Sequence, residues 1–237
     1  MTPITPPFWA GETWAGDVQE WIGAALARNG RSLTGPLEQI HLQPWSTVLR
    51  APTAGGLVFF KSVAPNIHHE VALTAALARW QPDVVLQPLA TDPARGWMLL
   101  PDGGARLRER IRADRDLGHW HALLPHYAAL QIDLAARQDE LLALGAADWR
   151  LTHFPRLYAE LLNEHEQLWL DQPDGLPSED HARLLALAPQ VSAWCAELAA
   201  SGIPESLNHG DLHDGNIFFH TGGARIFDWG DGRVSHP

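Results

Sequence analysis

The segment NHGDLHDGNIFFHTGGARIFDWG, residues 208–230, decides the fold of this chain. Two apolar runs flank Thr221-Gly222-Gly223, and this pattern predicts a β-hairpin. If the turn centres on Gly222, Asn216 lies directly opposite Asp228, with Cβ atoms about 4.5 to 5.5 Å apart. The hairpin would then present an amide oxygen and a carboxylate side by side at its open end.

These oxygens predict a magnesium site. Mg²⁺ prefers a few hard protein oxygens together with phosphate and water, and Asn216 and Asp228 supply such oxygens. Asp211 lies five residues before Asn216, in a polar, glycine-containing loop that leads to the same place. All three residues are also common in turns and caps, which is the structural alternative to a functional role.

Lys61 is the only lysine among the 17 lysine and arginine residues of the chain. A general preference for arginine explains the total, but it does not explain why one position keeps lysine. Lysine is a compact point charge on a flexible stem, whereas arginine is a wide fork. Lys61 is therefore a candidate for a role that arginine cannot fill, with an ordinary strand-end lysine as the alternative.

Outward from the hairpin, the chain divides into a strand-rich first part and a helical second part. Strand-like runs lie at residues 40–42, 47–49, 57–63, 84–89 and 96–100. Helices are predicted at 13–29, at 69–80 and for most of the chain after Gly104, including one that Ser178 caps and that ends at Ser201. Strand character returns at Ile217. We expect a small, mostly antiparallel sheet with one inserted helix, a hinge near residue 101 and a helical lobe.

Composition excludes several classes of function. The chain has 237 residues and a formal net charge of −11, so its surface repels phosphate backbones and nucleic acid is not an expected partner. No apolar run approaches the roughly 18 to 20 residues of a membrane helix. The single cysteine, Cys195, excludes an internal disulfide. No secretory signal is recognisable, so we expect a cytoplasmic protein without a membrane partner.

The motif from His209 to Asn216, followed by Asp228-Trp-Gly, resembles the catalytic loop and metal-binding aspartate of the aminoglycoside phosphotransferase-like family, relatives of protein kinases. The resemblance implies an α+β, bilobal, protein-kinase-like fold with an antiparallel sheet lobe and a mostly helical lobe. It divides the chain into a helical extension (1–36), an ATP-binding lobe (37–101) and a helical lobe with the catalytic loop and hairpin (102–237).

The resemblance also implies roles for individual residues. Asp211 accepts the proton of the acceptor hydroxyl, and Asn216 and Asp228 hold Mg²⁺ on the phosphates of ATP. Lys61 grips the α- and β-phosphates, oriented by Glu70. The further cofactor-binding candidates are Leu100 and Asp102 at the adenine-binding hinge and Ser46 near the phosphates.

The chain departs from the pattern in three places, one of which is Trp229, a packing residue that replaces the phenylalanine of protein kinases. Pro44-Trp45-Ser46-Thr47 stands where protein kinases have a glycine-rich loop. The family continues with further helices, so the resemblance implies that the helical lobe is truncated at residue 237 and that activity depends on what is missing.

Three hypotheses follow. The first is an ATP-dependent phosphotransferase acting on a hydroxyl of a small molecule, such as an aminoglycoside-like antibiotic, an amino-alcohol or a sugar. The second is a nucleotide-binding, pseudokinase-like module without activity. The third is a metal-dependent hydrolase, because His213 and Asp214 complete the pattern His209-x-Asp211-x-His213-Asp214, which offers metal ligands.

Overall fold

The computed structural model describes residue 9 and residues 12–220 and 223–237. Within it the chain forms two compact units. The first comprises Met1–Leu130 and Gly210–Asp231, and the second comprises Gln131–His209 and Gly232–Pro237. Antiparallel strands and helices are both well represented, so the predicted α+β class is confirmed.

The secondary structure follows in chain order. The helices are α1 (Glu12–Arg28), α2 (His69–Trp80), α3 (Leu107–Asp114), α4 (Gly118–Leu134), α5 (Gln138–Ala143), α6 (Phe154–Asn163), α7 (His165–Leu168), α8 (Ser178–Ala186) and α9 (Ala188–Ala200). The strands are β1 (Glu38–Leu42), β2 (Ser46–Thr53), β3 (Gly56–Val63), β4 (Ala90–Asp92), β5 (Trp97–Pro101), β6 (Ala105–Arg106), β7 (Ala147–Asp148), β8 (Ser206–Asn208), β9 (Ile217–His220), β10 (Gly223–Ile226) and β11 (Arg233–Ser235). Among the described residues, no helix combines the length and apolarity needed to span a membrane.

The main sheet of the first unit is antiparallel, with the strand order β1-β2-β3-β5-β4. Helix α1 covers one of its faces. Val18, Ile22 and Leu26 recur at helical spacing and are fully buried in one cluster with Phe60 of β3. The α1 helix therefore completes the core on this side of the sheet.

The predicted strand at 84–89 is wrong, because the edge strand of the sheet is β4, which begins at Ala90. The first three apolar residues of this run are buried, but the backbone of this part forms hydrogen bonds with Ile226 of β10. Ile226 donates its N–H to the oxygen of Val84 over 2.7 Å, and Leu86 donates to the oxygen of Ile226 over 3.0 Å. A short apolar run that is buried in a loop gives the same sequence signal as a strand.

The hairpin forms as β9 and β10 and is extended by β6 into a small sheet. Its register differs by one residue from the prediction. His220 pairs with Gly223 and Ile217 with Ile226, so Asn216 lies opposite Phe227 rather than Asp228. The predicted turn residues Thr221 and Gly222 lie outside the described part of the chain.

The second unit is mainly helical and has a small sheet with the order β7-β11-β8. Strand character therefore returns at Ala147 in β7 and again at Ser206 in β8, before the predicted Ile217. The predicted helix from Ser178 to Ser201 is divided into α8 and α9 at Leu187. The predicted capping role of Ser178 is wrong, because Pro177 is the N-cap, and Ser178 instead donates its backbone N–H to Asp171 over 2.8 Å.

Candidate active site

All the site residues predicted from the sequence line one cavity of about 850 Å³, which belongs entirely to the first unit. Lys61 reaches it from β3 and Glu70 from the first turn of α2. Leu100 lies near the end of β5, Asp102 directly follows that strand, and Ser46 lies at the start of β2. The remaining members are Asp211, Asn216 and Asp228. The volume is in the range of cavities that bind small molecules and cofactors.

Lys61 lies at the polar centre of the cavity. Its Nζ is 2.6 Å from Glu70 Oε1 and 2.6 Å from Asp228 Oδ1. The Glu70 side chain is only 2% exposed, whereas that of Asp228 is 41% exposed. One ammonium group therefore joins a buried carboxylate behind it to an accessible carboxylate that faces the cavity.

The electrostatics of this trio keep Lys61 charged. Burial by itself would lower the pKa of Lys61, but the charges of Glu70 and Asp228 and their hydrogen bonds raise it above the ordinary value. Burial raises the pKa of Glu70, and the Lys61 ammonium opposes that shift. The lysine carries a positive charge at neutral pH and is available to contact an anion in the cavity.

The backbone turns sharply at Asp228. Phe227 donates its N–H to the oxygen of Asn216 over 3.1 Å, which closes the hairpin. Asp228 then adopts a left-handed backbone conformation, with φ of 69°. This conformation is rare for residues other than glycine, although aspartate and asparagine tolerate it best. The turn, rather than direct strand pairing, brings the Asp228 carboxylate to Lys61.

Asp211 and Asn216 are tied together within the loop that precedes β9. The Asn216 amide nitrogen, Nδ2, donates to the backbone oxygen of Asp211 over 3.0 Å and to its Oδ2 over 3.2 Å. Because both bonds use the nitrogen, the Asn216 amide oxygen is the atom available to a ligand. Asp211 is half exposed, in keeping with access to a substrate.

An apolar wall of the cavity was not predicted. Phe218 and Phe227 stack with ring centroids 4.3 Å apart, and the Arg106 guanidinium lies 5.9 and 5.7 Å from the two rings. Gly103 permits this arrangement, because a Cβ atom there would come within 2.2 Å of Phe218. Both phenylalanines belong to the apolar runs that predict the hairpin. The predicted register, which is displaced by one residue, does not show that they face the same cavity.

Two further features were missed. His69 donates from Nε2 to the backbone oxygen of Gly230 over 3.0 Å, so the start of α2 is bonded to the short 3₁₀ helix Trp229–Asp231. Trp45, in the loop before β2, lines the cavity although the residue is 56% exposed. The only sequence signal for a role of this loop is the unusual Pro44-Trp45 pair.

The donors present fit a nucleotide with a divalent ion. The Asn216 amide oxygen and the Asp228 carboxylate are hard oxygen ligands, and Lys61 supplies a fixed positive charge beside them. Among the described residues, no group of three or more histidine, cysteine, aspartate and glutamate side chains is arranged to hold a metal ion by itself. An amide oxygen and a carboxylate suit an ion that also takes ligands from phosphate and water.

The sequence profile of the phosphotransferase enzyme family, abbreviated APH, matches residues 41–237. The chain belongs to this phosphotransferase family. The suspected resemblance is thereby confirmed, and the match includes every predicted site residue. A search among curated proteins found no match.

Several solved structures are similar to this member of the phosphotransferase family. A choline/ethanolamine kinase family protein from Mesorhizobium loti is 20% identical, with a TM-score of 0.53, over 94% of this chain and 67% of its own. The macrolide 2′-phosphotransferase MphH from Brachybacterium faecium is 17% identical, with a TM-score of 0.53, over 93% and 74%. The choline kinase LicA from Streptococcus pneumoniae is 11% identical, with a TM-score of 0.58, over 94% and 70%. At these identities the similarity establishes the kinase-like fold.

Proposed function

We propose that this chain transfers the γ-phosphoryl group of ATP to a hydroxyl group of a small molecule. Two contacts support the proposal: Lys61 Nζ lies 2.6 Å from a carboxylate oxygen of Glu70 and 2.6 Å from one of Asp228. Asp211 and Asn216 line the same cavity. An ammonium group, a metal-binding oxygen set and a proton acceptor are the parts that phosphoryl transfer requires.

The proposed reaction assigns one task to each residue. Lys61, oriented by Glu70, binds the α- and β-phosphates. Asp211 positions the acceptor hydroxyl and takes its proton as the new bond from oxygen to the γ-phosphorus forms and the bond to the β,γ-bridging oxygen breaks, so that ADP leaves. Asn216 and Asp228 hold Mg²⁺, which offsets the negative charge of the phosphates when it is bound.

The apolar wall fits the nucleobase. Phe218 and Phe227 offer a flat surface, and Leu100 lies on the strand whose end forms the proposed hinge, so we assign adenine to this part of the cavity. The same proposal includes two further points. The domains divide at residues 36 and 101, and Ser46 contacts the phosphates. A solved relative, a thermostable mutant of aminoglycoside phosphotransferase APH(4)-Ia, was crystallised as a ternary complex with ADP and hygromycin B, which supports nucleotide use.

The acceptor is proposed to be a cationic hydroxyl compound such as an amino-alcohol or an aminosugar. Asp211, Asp231 and Glu109 line the same cavity, and the chain as a whole carries a formal net charge of −11. A positively charged acceptor would be attracted to these carboxylates.

The test is a screen of ATP consumption in the presence of Mg²⁺ over amino-alcohols, aminosugars, sugars and hydroxyl-bearing antibiotics. Products are identified by mass spectrometry, and an Asp211→Ala variant serves as the inactive control. We expect one compound to gain a phosphoryl group with the wild-type protein and none with the variant, which still binds Mg-ATP.

Other results would overturn the proposal in distinguishable ways. Binding of Mg-ATP without transfer to any compound would favour a nucleotide-binding module without activity. Tightly bound transition metal after purification, with no effect of ATP, would favour a metal-dependent hydrolase. Wild-type turnover by Asp211→Ala would refute the role of Asp211.

A further inference from the structure

Behind Asp211, the catalytic loop is braced by an arginine from α3. Arg108 donates from Nη2 and Nε to Asp214 Oδ1 over 3.1 and 3.3 Å, and its backbone N–H donates to the Asp214 oxygen over 3.0 Å. Side chain and backbone of Arg108 therefore both hold the loop. Neither Arg108 nor His213 nor Asp214 lines the cavity, so the proposed reaction leaves this cluster without a task.

The cluster fixes the orientation of the His213 ring. Its Nδ1 lies 2.9 Å from the Gly215 backbone nitrogen and 3.3 Å from Arg108 Nη2. A backbone N–H and a guanidinium are donors only, so Nδ1 accepts both hydrogen bonds. In the neutral imidazole the ring hydrogen is therefore carried by Nε2.

The Nε2 atom of His213 faces the proposed proton acceptor. It lies 3.5 Å from Asp211 Oδ2, the same oxygen that receives Asn216 Nδ2 over 3.2 Å. Two nitrogen donors on the same loop thus face one carboxylate oxygen. Contacts of this kind shorten when the substrate completes the site, so 3.5 Å in the free protein is compatible with a hydrogen bond in the complex.

Glycine at position 215 makes this packing possible. A Cβ atom there would lie 2.2 Å from Arg108 Nη2 and 2.7 Å from His213 Cε1. Any side chain would displace the guanidinium or the ring. The close packing of Arg108, His213 and Gly215 indicates that the ring position is built into the loop.

We infer that His213 is a positioning residue that holds the Asp211 carboxylate through Nε2–H, with Arg108 and Gly215 fixing the ring. The inference rests on the proposed function, since it gives Asp211 its meaning. A purely structural role is the competing explanation, in which His213 stabilises the turn through Nδ1 alone.

Two conservative variants separate these explanations. Glutamine places its amide nitrogen near the position of Nε2, whereas asparagine places its amide oxygen near the position of Nδ1 and does not reach Asp211. The probe reaction is the release of ADP from Mg-ATP with water as the acceptor. We expect His213→Gln to keep kcat within about 3-fold, and His213→Asn and His213→Ala to lower it about 10- to 100-fold with little change in KM for ATP.

The controls follow from the structure. His126→Gln makes the same chemical change at an exposed position of α4 and is expected to leave kcat unchanged. Thermal denaturation of each variant checks that the fold is retained. Equal kcat for His213→Asn and His213→Gln, or a rise in KM with constant kcat, would overturn the inference.

A second measurement does not depend on activity. The nitrogen chemical shifts of a neutral imidazole in NMR spectra report which nitrogen carries the hydrogen. We expect the hydrogen on Nε2, and we expect Asp211→Asn to shift the Nε2 resonance far more than that of Nδ1. A hydrogen on Nδ1, or no shift in the variant, would refute the contact. No ADP release by the wild-type protein would count against the proposed function alone, because the NMR result stands without it.

Discussion

Lys61 shows why one position in an arginine-rich chain keeps lysine. Its Nζ contacts Glu70 and Asp228 at 2.6 Å each, and the contact to Glu70 is buried. A single small ammonium group can satisfy both carboxylates and still present a hydrogen to the cavity. A guanidinium spreads its charge over a wider, planar fork that does not fit the same space.

We therefore predict that Lys61→Arg weakens Mg-ATP binding by about tenfold or more, equivalent to about 1.4 kcal/mol, although the charge is conserved. Isothermal titration calorimetry with Mg-ATP measures the effect. Arg50→Lys, a change at a partly exposed residue of the neighbouring strand β2, is the matched control and should bind as the wild type does. Equal affinity for Lys61→Arg and wild type would show that the site does not require lysine.

Asp228 combines a proposed metal-binding role with an unusual backbone conformation. Because its φ is 69°, alanine at this position would change both the carboxylate and the backbone preference. Asparagine tolerates the left-handed conformation and removes only the charge. We predict that Asp228→Asn keeps its thermal stability, whereas Asp228→Ala loses some.

Both Asp228 variants should weaken Mg-ATP binding by about tenfold or more at millimolar Mg²⁺, since a metal-binding oxygen with a full charge is lost. The affinity for ATP in EDTA should change much less. Comparing the two titrations isolates the metal-dependent part of binding. If neither variant altered affinity in millimolar Mg²⁺, Asp228 would have no role in holding the ion.

At the scale of single elements, α1 packs into the core of the sheet. Trp21 makes edge-on ring contacts with Phe60 and Trp97 at 5.8 Å, and Ile22 is fully buried. Phe60 is the residue before Lys61, on the opposite face of β3. Packing by α1 therefore stabilises the strand that presents the lysine.

We predict that Ile22→Ala lowers the free energy of unfolding by about 2–5 kcal/mol, the usual cost of such a cavity in a core. Gln19→Ala, an exposed change on the same helix, should have an effect within about 0.5 kcal/mol. Urea denaturation followed by circular dichroism measures both. A loss below 1 kcal/mol for Ile22→Ala would mean that α1 contributes little to the unit.

The elements could be predicted where the signal is local. Helix α2 begins and ends at the predicted residues His69 and Trp80, because its apolar spacing is regular. The hairpin was also recognised, but its register was displaced by one residue, since sequence does not specify where a glycine-rich turn is centred. The 84–89 run was assigned as a strand because a buried loop and a strand share the same apolar pattern.

The proximity of three of the proposed site residues in the fold has a related, local origin. Asp211, Asn216 and Asp228 lie within 18 positions of one another, so short-range geometry brings them together. The contact between Arg108 and Asp214 joins residues 106 positions apart, and nothing in the sequence pairs that arginine with the loop. Long-range contacts of this kind depend on the whole fold.

At the scale of the whole molecule, the chain returns to its first unit after a long excursion. Lys61 and Asp228 are 167 positions apart and yet form an ion pair. The segment Gly210–Asp231, which carries Asp211, Asn216 and Asp228, belongs to the same compact unit as the main sheet. Everything that lines the cavity is therefore in one unit.

This organisation predicts where a ligand will stabilise the molecule. At 100 times its dissociation constant, the proposed ligand Mg-ATP would stabilise the folded form by about 2.7 kcal/mol. The expectation concerns amides that exchange by local opening. Hydrogen exchange should become slower in residues 46–63 and 217–220, which border the cavity. It should stay unchanged in α8 and α9 of the second unit. Mass spectrometry of peptides, with ATP in EDTA as the control, measures both regions. Equal protection of α8, α9 and residues 46–63 would contradict a ligand site confined to the first unit. Elements that do not line the cavity would then share the free energy of binding.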